Sequence, residues 1–399
     1  MKFVFVSNYL NHHQIPFCNA MYELLGGDFA FVQTEPMEEE RVKMGWSKDI
    51  QAPYLRLYYH EEEACRRLIA EAKVVFFGGT DEEGYIRERL DLGKPVIRYS
   101  ERLYKSGQWK AVSPRGLLKK YQDHTRYRRR PVYMLCAGAY VASDFHIVRA
   151  YPKKLLRWGY FPETREYAVD QLMAQKKQGS ILWTGRFLDW KHPELAIETA
   201  RYLRDKGYDF QMELAGGGEL ESLVREKIEE YGLKERVRLL GYRRPEEIRC
   251  LMEQAQIYLM TSDRMEGWGA VVNEAMNSGC AVAADHMAGA VPFLISPGKN
   301  GLIYRDGHKK ELFAAVERLL QDKELCRRLG TNAIETITQE WNASTAARRL
   351  LGFCVRLGFL EKGEAAGEIS LTPPLTGPCS PAPVLSERRM KWRKQWKNP

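Results

Sequence analysis

Short apolar runs alternate with longer stretches whose apolar positions recur every third or fourth residue, almost along the whole chain. The short runs fit buried parallel strands, which read as continuous apolar segments, and the longer stretches fit amphipathic helices. In the first half this predicts strands at 2–6, 29–33, 74–77, 96–99, 133–135 and 154–157, with helices between them, including 14–25 and 61–72. After Trp158-Gly-Tyr-Phe-Pro-Glu163 the pattern starts again, with strands at 179–184, 210–215, 237–241, 257–260 and 280–284. Helices at 193–206, 218–231, 245–253 and 269–278 separate these strands. Charged helices follow at 309–320 and 323–340, and Trp341-Asn-Ala-Ser-Thr opens a last one with an Asn or Ser cap.

Strand and helix in strict alternation predict a parallel α/β architecture. A chain of 399 residues is long enough for two such domains, each with its own core. The glycine and proline of 158–163 place the crossing between them, giving an upstream domain over 1–157 and a downstream one over 158–340. The helix over 341–360 comes next, and the Pro, Thr, Ser and Gly of 361–399 predict a disordered basic tail. Doubly wound domains bind ligands at the carboxyl ends of their strands.

Composition narrows the class. A hydrophobic content of 44% and a charged content of 28% are those of a soluble globular protein. No apolar run reaches the roughly 18–20 residues that span a bilayer. The opening Met-Lys-Phe-Val-Phe-Val-Ser-Asn is too short and wrongly flanked for a secretory signal, so the expected location is cytoplasmic. Eight cysteines stand singly, with no CxxC pair, as expected of inert reduced thiols. The net charge of +9 is concentrated in two places, Arg115–Arg130 and Arg388–Lys397, the second with Trp392 and Trp396 interleaved. Basic residues beside tryptophan suit an anionic membrane surface at the inner face of the cell membrane, and suit nucleic acid almost as well. A solvated face and a free tail fit the same residues.

Candidate chemistry concentrates downstream. Glu266-Gly-Trp-Gly-Ala-Val-Val-Asn-Glu274 sets two carboxylates eight positions apart, a little over two helical turns. If a helix begins near Gly269, both acids can face one ligand. The N–H groups of Gly267, Trp268, Gly269, Ala270 and Val271 would then be donors at a helix N-terminus, suited to phosphate. A sugar nucleotide requires this pairing of phosphate cradle and flanking acids. Upstream, a strand ends in Gly185-Arg186, and Lys191 follows five residues later. Glycine permits close backbone approach, while Arg and Lys can clamp a diphosphate or stand in solvent. Ala215-Gly-Gly217-Gly-Glu219 is a glycine turn that can lie under a phosphate or base, or serve only as a turn. Tyr242, after Leu240-Gly241, can meet a base or pack on the core.

In this order these pieces resemble the retaining glycosyltransferases of the GT-B fold, specifically glycosyltransferase family 4. The resemblance runs from about Gly179 to Leu351 and includes Lys299-Asn-Gly-Leu-Ile and the Trp341 helix. It implies two Rossmann-like domains facing across a cleft, with the last helix crossing back to the first. It further implies that Arg186 and Lys191 bind the donor diphosphate, Glu274 the ribose and Glu266 the transferred sugar. The catalytic set would be Glu266, Arg186 and Lys191, with no metal and no cofactor beyond a UDP- or GDP-sugar donor.

The upstream half departs from the family. Where a glycine-rich loop often follows the first strand, this chain has Ser7-Asn-Tyr-Leu-Asn-His12-His13-Gln14. His12, His13 and Gln14 stand as sugar or acceptor contacts or as caps. Arg98-Tyr-Ser-Glu101 occupies the place of a usual histidine, which makes Glu101 a further candidate. Ala288-Gly-Ala-Val-Pro-Phe293 lacks the acid of the family's Gly-Gly-x-Pro-Glu stretch. The function implied is sugar transfer to a glycan or lipid-linked acceptor in cell-surface polysaccharide synthesis, without a nucleic-acid partner. The rivals are a GT-B sugar-nucleotide epimerase and a noncatalytic membrane- or nucleic-acid-binding protein.

Overall fold

The computed structural model describes residues 1–39, 50–367 and 377–386. These form two compact units, Met1–Glu163 with Glu340–Ser386, and Thr164–Gln339. The first is built on β1 (Phe3–Ser7), β2 (Phe29–Gln33), β3 (Leu55–Leu57), β4 (Val74–Phe77), β5 (Val96–Ser100), β6 (Val132–Ala137) and β7 (Leu155–Trp158). The second holds β8 (Lys177–Thr184), β9 (Gln211–Ala215), β10 (Val237–Gly241), β11 (Ala255–Met260), β12 (Ala281–Asp285) and β13 (Leu302–Tyr304).

All strands pair in parallel, in the orders β3-β2-β1-β4-β5-β6-β7 and β10-β9-β8-β11-β12-β13. Both are doubly wound sheets with the dinucleotide-fold order, and each reverses direction once. The reversal lies between β1 and β4 in the first unit and between β8 and β11 in the second. Every residue of β1, β2, β4 and β12 is buried, as covered parallel sheets require. Register then fixes one edge: Thr184 pairs with Ala215, Ala215 with Gly241, and Met260 with Ala284. The loops that leave these residues therefore start side by side.

The last helix, Ala343–Arg356, is capped by Asn342, whose side chain accepts from the Thr345 amide at 2.8 Å. It packs on the helix Ile15–Leu25 within the first unit. Strands β3 and β13 carry only three residues each, too few for periodicity to reveal. The expectation of a disordered tail from Glu361 requires correction. Within 377–386, Cys379 to Ala382 run antiparallel along β7, with the Arg157 amide donating to Ser380 O at 2.7 Å and Cys379 buried. The physical reason is the sheet edge: among the described residues β7 has no strand on its outer side, and this segment takes up its open hydrogen bonds. The basic cluster Arg388–Lys397, with Trp392 and Trp396, lies outside the described residues.

Candidate functional site

In the second unit the segments that leave four adjacent strands, β10, β9, β8 and β11, carry the residues in question. After β8, Gly185 donates its amide to Ala215 O at 3.0 Å, and the Phe187 amide donates to Gly217 O at 2.8 Å. The Gly216 amide reaches Gly241 O at 2.8 Å, so three loops are stitched edge to edge. Only glycine fits at 216, where φ is 135° and a Cβ would stand 1.9 Å from Gly185 O. Tyr242 closes the row: its hydroxyl donates to Gly217 O at 3.0 Å, and the residue is 61% exposed instead of packed on the core.

Lys191 is held from several sides. Its amide donates to Leu188 O at 3.0 Å, and its carbonyl accepts the Thr261 hydroxyl at 2.7 Å. Thr261 in turn accepts the Trp183 indole N–H at 2.7 Å, which ties Lys191 to the core of the sheet. The ammonium lies 4.5 Å from the centre of the Trp190 ring and pairs with the Glu266 carboxylate. This ion pair bridges the loops after β8 and β11, at the point where the strand order reverses. Arg186, half-buried, is on the same β8 loop.

The second carboxylate sits where the spacing predicts. The helix Ala270–Asn277 begins after Gly269, which is left-handed at φ 90°. A Cβ at 269 would meet Met260 Cε at 2.9 Å and Glu266 Cγ at 3.3 Å, so this glycine lets the helix start against the strand end and the first acid. Val272, Asn273, Ala275, Met276 and Asn277 are buried, which leaves Ala270, Val271 and Glu274 on the outer face. The Val272 amide donates to Gly269 O at 3.0 Å, while those of Ala270 and Val271 have no intrahelical acceptors, and the helix start carries the positive end of the dipole. Glu274 lies near Tyr258: burial pushes that phenol up, hydrogen bonding to Thr184 opposes this, and the Glu274 carboxylate adds to the rise. The Tyr258 hydroxyl is 2.9 Å from Thr184 Oγ1, at the end of β8. Trp268 is the exception among the candidates as a side chain. Its ring is fully buried and donates to Asn273 at 2.9 Å, leaving only its backbone to meet a ligand.

Sequence reasoning missed His192 and Asp263. His192 adopts a left-handed conformation, φ 50° and ψ 54°, uncommon for a residue with a side chain. It caps the helix Pro193–Asp205, with Nδ1 2.8 Å from Glu194 and Nε2 3.6 Å from Asp263. The Asp263 and Glu194 carboxylates beside it raise its pKa to about 10, so the imidazolium persists at neutral pH. Burial alone would raise the Asp263 carboxyl, but His192 and the Met265 amide together hold it below its usual range. Asp263 organises the approach to Glu266, accepting the Met265 amide at 2.8 Å while its carbonyl accepts the Glu266 amide at 3.1 Å. A histidine beside Lys191 and before Pro193 was visible in the sequence, but no local rule places a side chain at positive φ there.

The first unit has a different edge. Gln14 donates to Ser7 Oγ and to the Tyr99 hydroxyl, each at 3.2 Å, and accepts from Asn11 at 3.0 Å. Glycines absent after β1 are supplied after β4: a Cβ on Gly79 would stand 2.3 Å from Ser7 Oγ and 2.8 Å from the Tyr99 hydroxyl. His13 and Gln14 line an aromatic recess with Phe5, Phe17, Tyr99, Trp158 and Tyr160 that holds about 300 Å³, open solvent at its mouth included. The His12 ring lies 3.8 Å from that of His13, centre to centre. Glu101 accepts from the Tyr160 hydroxyl at 2.7 Å and from Lys105 at 2.6 Å.

Residues 165–336 match the family model described as glycosyl transferases group 1. An alpha-D-kanosaminyltransferase of Streptomyces kanamyceticus is 31% identical over 267 residues, 66% of this chain and 64% of that protein. A putative colanic acid biosynthesis glycosyltransferase, WcaL of Salmonella typhimurium, is 27% identical over 246 residues, 60% of each. The chain thus aligns with about three fifths of the length of these curated relatives. The crystal structure of Anabaena Alr3699/HepE in complex with UDP superposes with a TM-score of 0.66 at 14% identity, over 90% of this chain and all of that one. That likeness carries the architecture alone. The downstream unit thus carries a group 1 glycosyl transferase match over residues 165–336, and both units are doubly wound sheets of the GT-B fold.

Proposed function

We propose that this protein transfers a sugar, with retention of configuration, from a UDP- or GDP-sugar to a glycan or lipid-linked acceptor in polysaccharide synthesis, as a member of glycosyltransferase family 4. One observation carries the reading. Lys191, locked to the sheet by Thr261, and Glu266 meet beside the first turn of the helix Ala270–Asn277, at the strand reversal where doubly wound sheets bind nucleotides. Relatives whose names specify kanosaminyl transfer and colanic acid biosynthesis, and the UDP complex of a structural neighbour, support the substrate class.

The chemistry follows from charge. Glycosyl transfer breaks the bond from the anomeric carbon to a diphosphate oxygen, leaving negative charge on the diphosphate and an oxocarbenium-like sugar. Arg186, Lys191 and the amides of Gly267 to Val271 would meet the departing diphosphate, so no divalent ion is required. A diphosphate that engages Lys191 takes over part of its pairing with Glu266, which turns that carboxylate toward the sugar. Glu274, on the outer face of the same helix, would accept from ribose hydroxyls. Retention is assigned to same-face attack, the acceptor's proton passing to the leaving phosphate. His192 is a positioning residue: it holds Asp263, which shapes the turn into Glu266.

Transfer and donor hydrolysis, measured over a panel of UDP- and GDP-sugars with wild type and Arg186→Ala, test the proposal. Loss of turnover together with weaker nucleotide-diphosphate binding is expected. Unchanged turnover in the variant would reject the clamp. Epimerised donor appearing without acceptor would replace transfer by epimerisation.

A further inference from the structure

The helix Pro114–Asp123 in the first unit is amphipathic in the inverted sense. Its one buried residue is an acid, Asp123, paired with Lys119 at 3.0 Å, while Arg98 donates to the Asp123 carbonyl at 2.6 Å. At about 100° per residue, Leu117, Leu118 and Tyr121 fall within roughly 100° of arc on the side opposite Asp123. They are 43%, 58% and 56% exposed. Ahead of the helix, Trp109 and Val112 add apolar surface at 70% and 76% exposure. Single exposed leucines are ordinary, but large apolar side chains gathered on one outward helix face mark an interaction surface.

Charge identifies the partner. Arg115 is exposed on the helix and the Lys119 side chain is 63% exposed, while Arg128, Arg129 and Arg130 are exposed shortly beyond it. Between Trp109 and Arg130 the sequence holds one acid, Asp123, and that one is buried. A protein partner accepts an apolar helix with either charge around it. The charges exposed on the helix itself are basic, with Asp81 and Glu83 reaching Lys119 and Lys120 from the segment after β4. This basic excess favours an anionic surface, and an outward Trp, Leu and Tyr suit the headgroup–acyl boundary of a bilayer.

We propose that Pro114–Asp123, with Trp109 and Val112, is a membrane-docking element that inserts Leu117, Leu118 and Tyr121 into the interface of an anionic bilayer. Basic residues around the helix hold lipid phosphates. Such docking deepens the lipid-linked-acceptor reading, yet it is measured without any sugar transfer, so either can fail alone. It is also separate from the basic C-terminal cluster, which lies outside the described residues.

The test is sedimentation of the full chain with vesicles of phosphatidylglycerol and phosphatidylcholine, and with phosphatidylcholine alone. Wild type is compared with Leu117→Ser/Leu118→Ser/Tyr121→Ser and with Arg115→Gln/Lys119→Gln. Circular dichroism and UDP or GDP affinity check that each variant folds and that the second unit is untouched. The expected result is binding to the anionic vesicles only, weakened roughly tenfold or more in the serine variant and weakened further by salt in all forms. Binding of the serine variant equal to wild type would overturn the proposal, because the charge alone, or the C-terminal cluster, would then suffice. So would absent wild-type binding, or concentration-dependent self-association that the serine variant abolishes, which would make the face a contact between copies.

Discussion

The two units share one strand order and differ in what their carboxyl edges do with it. In the second, loops after β8, β9, β10 and β11 bring charged and glycine-rich segments together: Arg186, the Lys191–Glu266 pair, Gly216 and the start of the Ala270–Asn277 helix. In the first, Ser7, Gln14, Tyr99 and Asn11 satisfy one another around Gly79, and aromatic rings line the recess beside them. A doubly wound sheet supplies the place for a ligand; the loops decide which ligand it can hold. Fixed positive potential in the second unit suits a diphosphate, while neutral hydroxyls, amides and rings in the first suit a sugar hydroxyl or an apolar group.

Substitutions can break this contrast. The largest effect is expected from Arg186→Ala or Lys191→Ala, each removing a charged donor from the leaving group. Turnover should fall by about a hundred- to a thousandfold, or roughly 2.7–4 kcal/mol, as read from initial rates at saturating donor. Next is Gly216→Ala, which forces a Cβ to within 1.9 Å of Gly185 O at a φ of 135°. A loss of roughly 2–4 kcal/mol in unfolding free energy is expected, with donor affinity falling as the Gly185 loop shifts.

Glu274→Gln should weaken nucleoside-diphosphate binding by roughly ten- to a hundredfold, the difference of about 1.5–3 kcal/mol expected for a hydrogen bond to a charged group. Calorimetric titration reads it directly, and unchanged affinity would remove Glu274 from the ribose. His192→Gln tests positioning through pH. The folded pKa of His192, about 10, lies above its ordinary 6.5, so its ion pairs stabilise the fold in full below about pH 6.5. That contribution declines from there and is gone once the pH passes through 10. The melting temperatures of wild type and variant should therefore converge between pH 7 and pH 10; a constant gap would mean that the imidazolium does not matter. The smallest effect belongs to the first unit. Gln14→Ala should leave nucleotide affinity within about twofold, since the hydrogen bonds it removes, roughly 0.5–1.5 kcal/mol each, run to Ser7, Tyr99 and Asn11 and not to the nucleotide loops.

The contrast also explains what could be read in advance. Strand runs such as Phe29–Gln33 and Val74–Phe77 were legible because covered parallel strands read as nearly continuous apolar segments. The Glu266–Glu274 spacing was legible because helix geometry is local: the helix starts after Gly269 and leaves Glu274 on its outer face. His192 and Asp263 were not legible, since their contact depends on β8 and β11 being neighbours. Gly79 stood in plain view but follows β4, and only the sheet order brings it beside Ser7. The docking of 377–386 on β7 escaped notice because its signal is an open sheet edge, a property of the fold and not of the segment.

The central claim is that a nucleoside diphosphate sits across the β8 and β11 loops, and a crystal structure of the full chain with UDP or GDP tests it most directly. The account predicts diphosphate oxygens on Arg186, Lys191 and the amides of Gly267 to Val271, with ribose hydroxyls on Glu274. A nucleotide bound elsewhere, with Lys191 still paired to Glu266 and both carboxylates untouched, would contradict it.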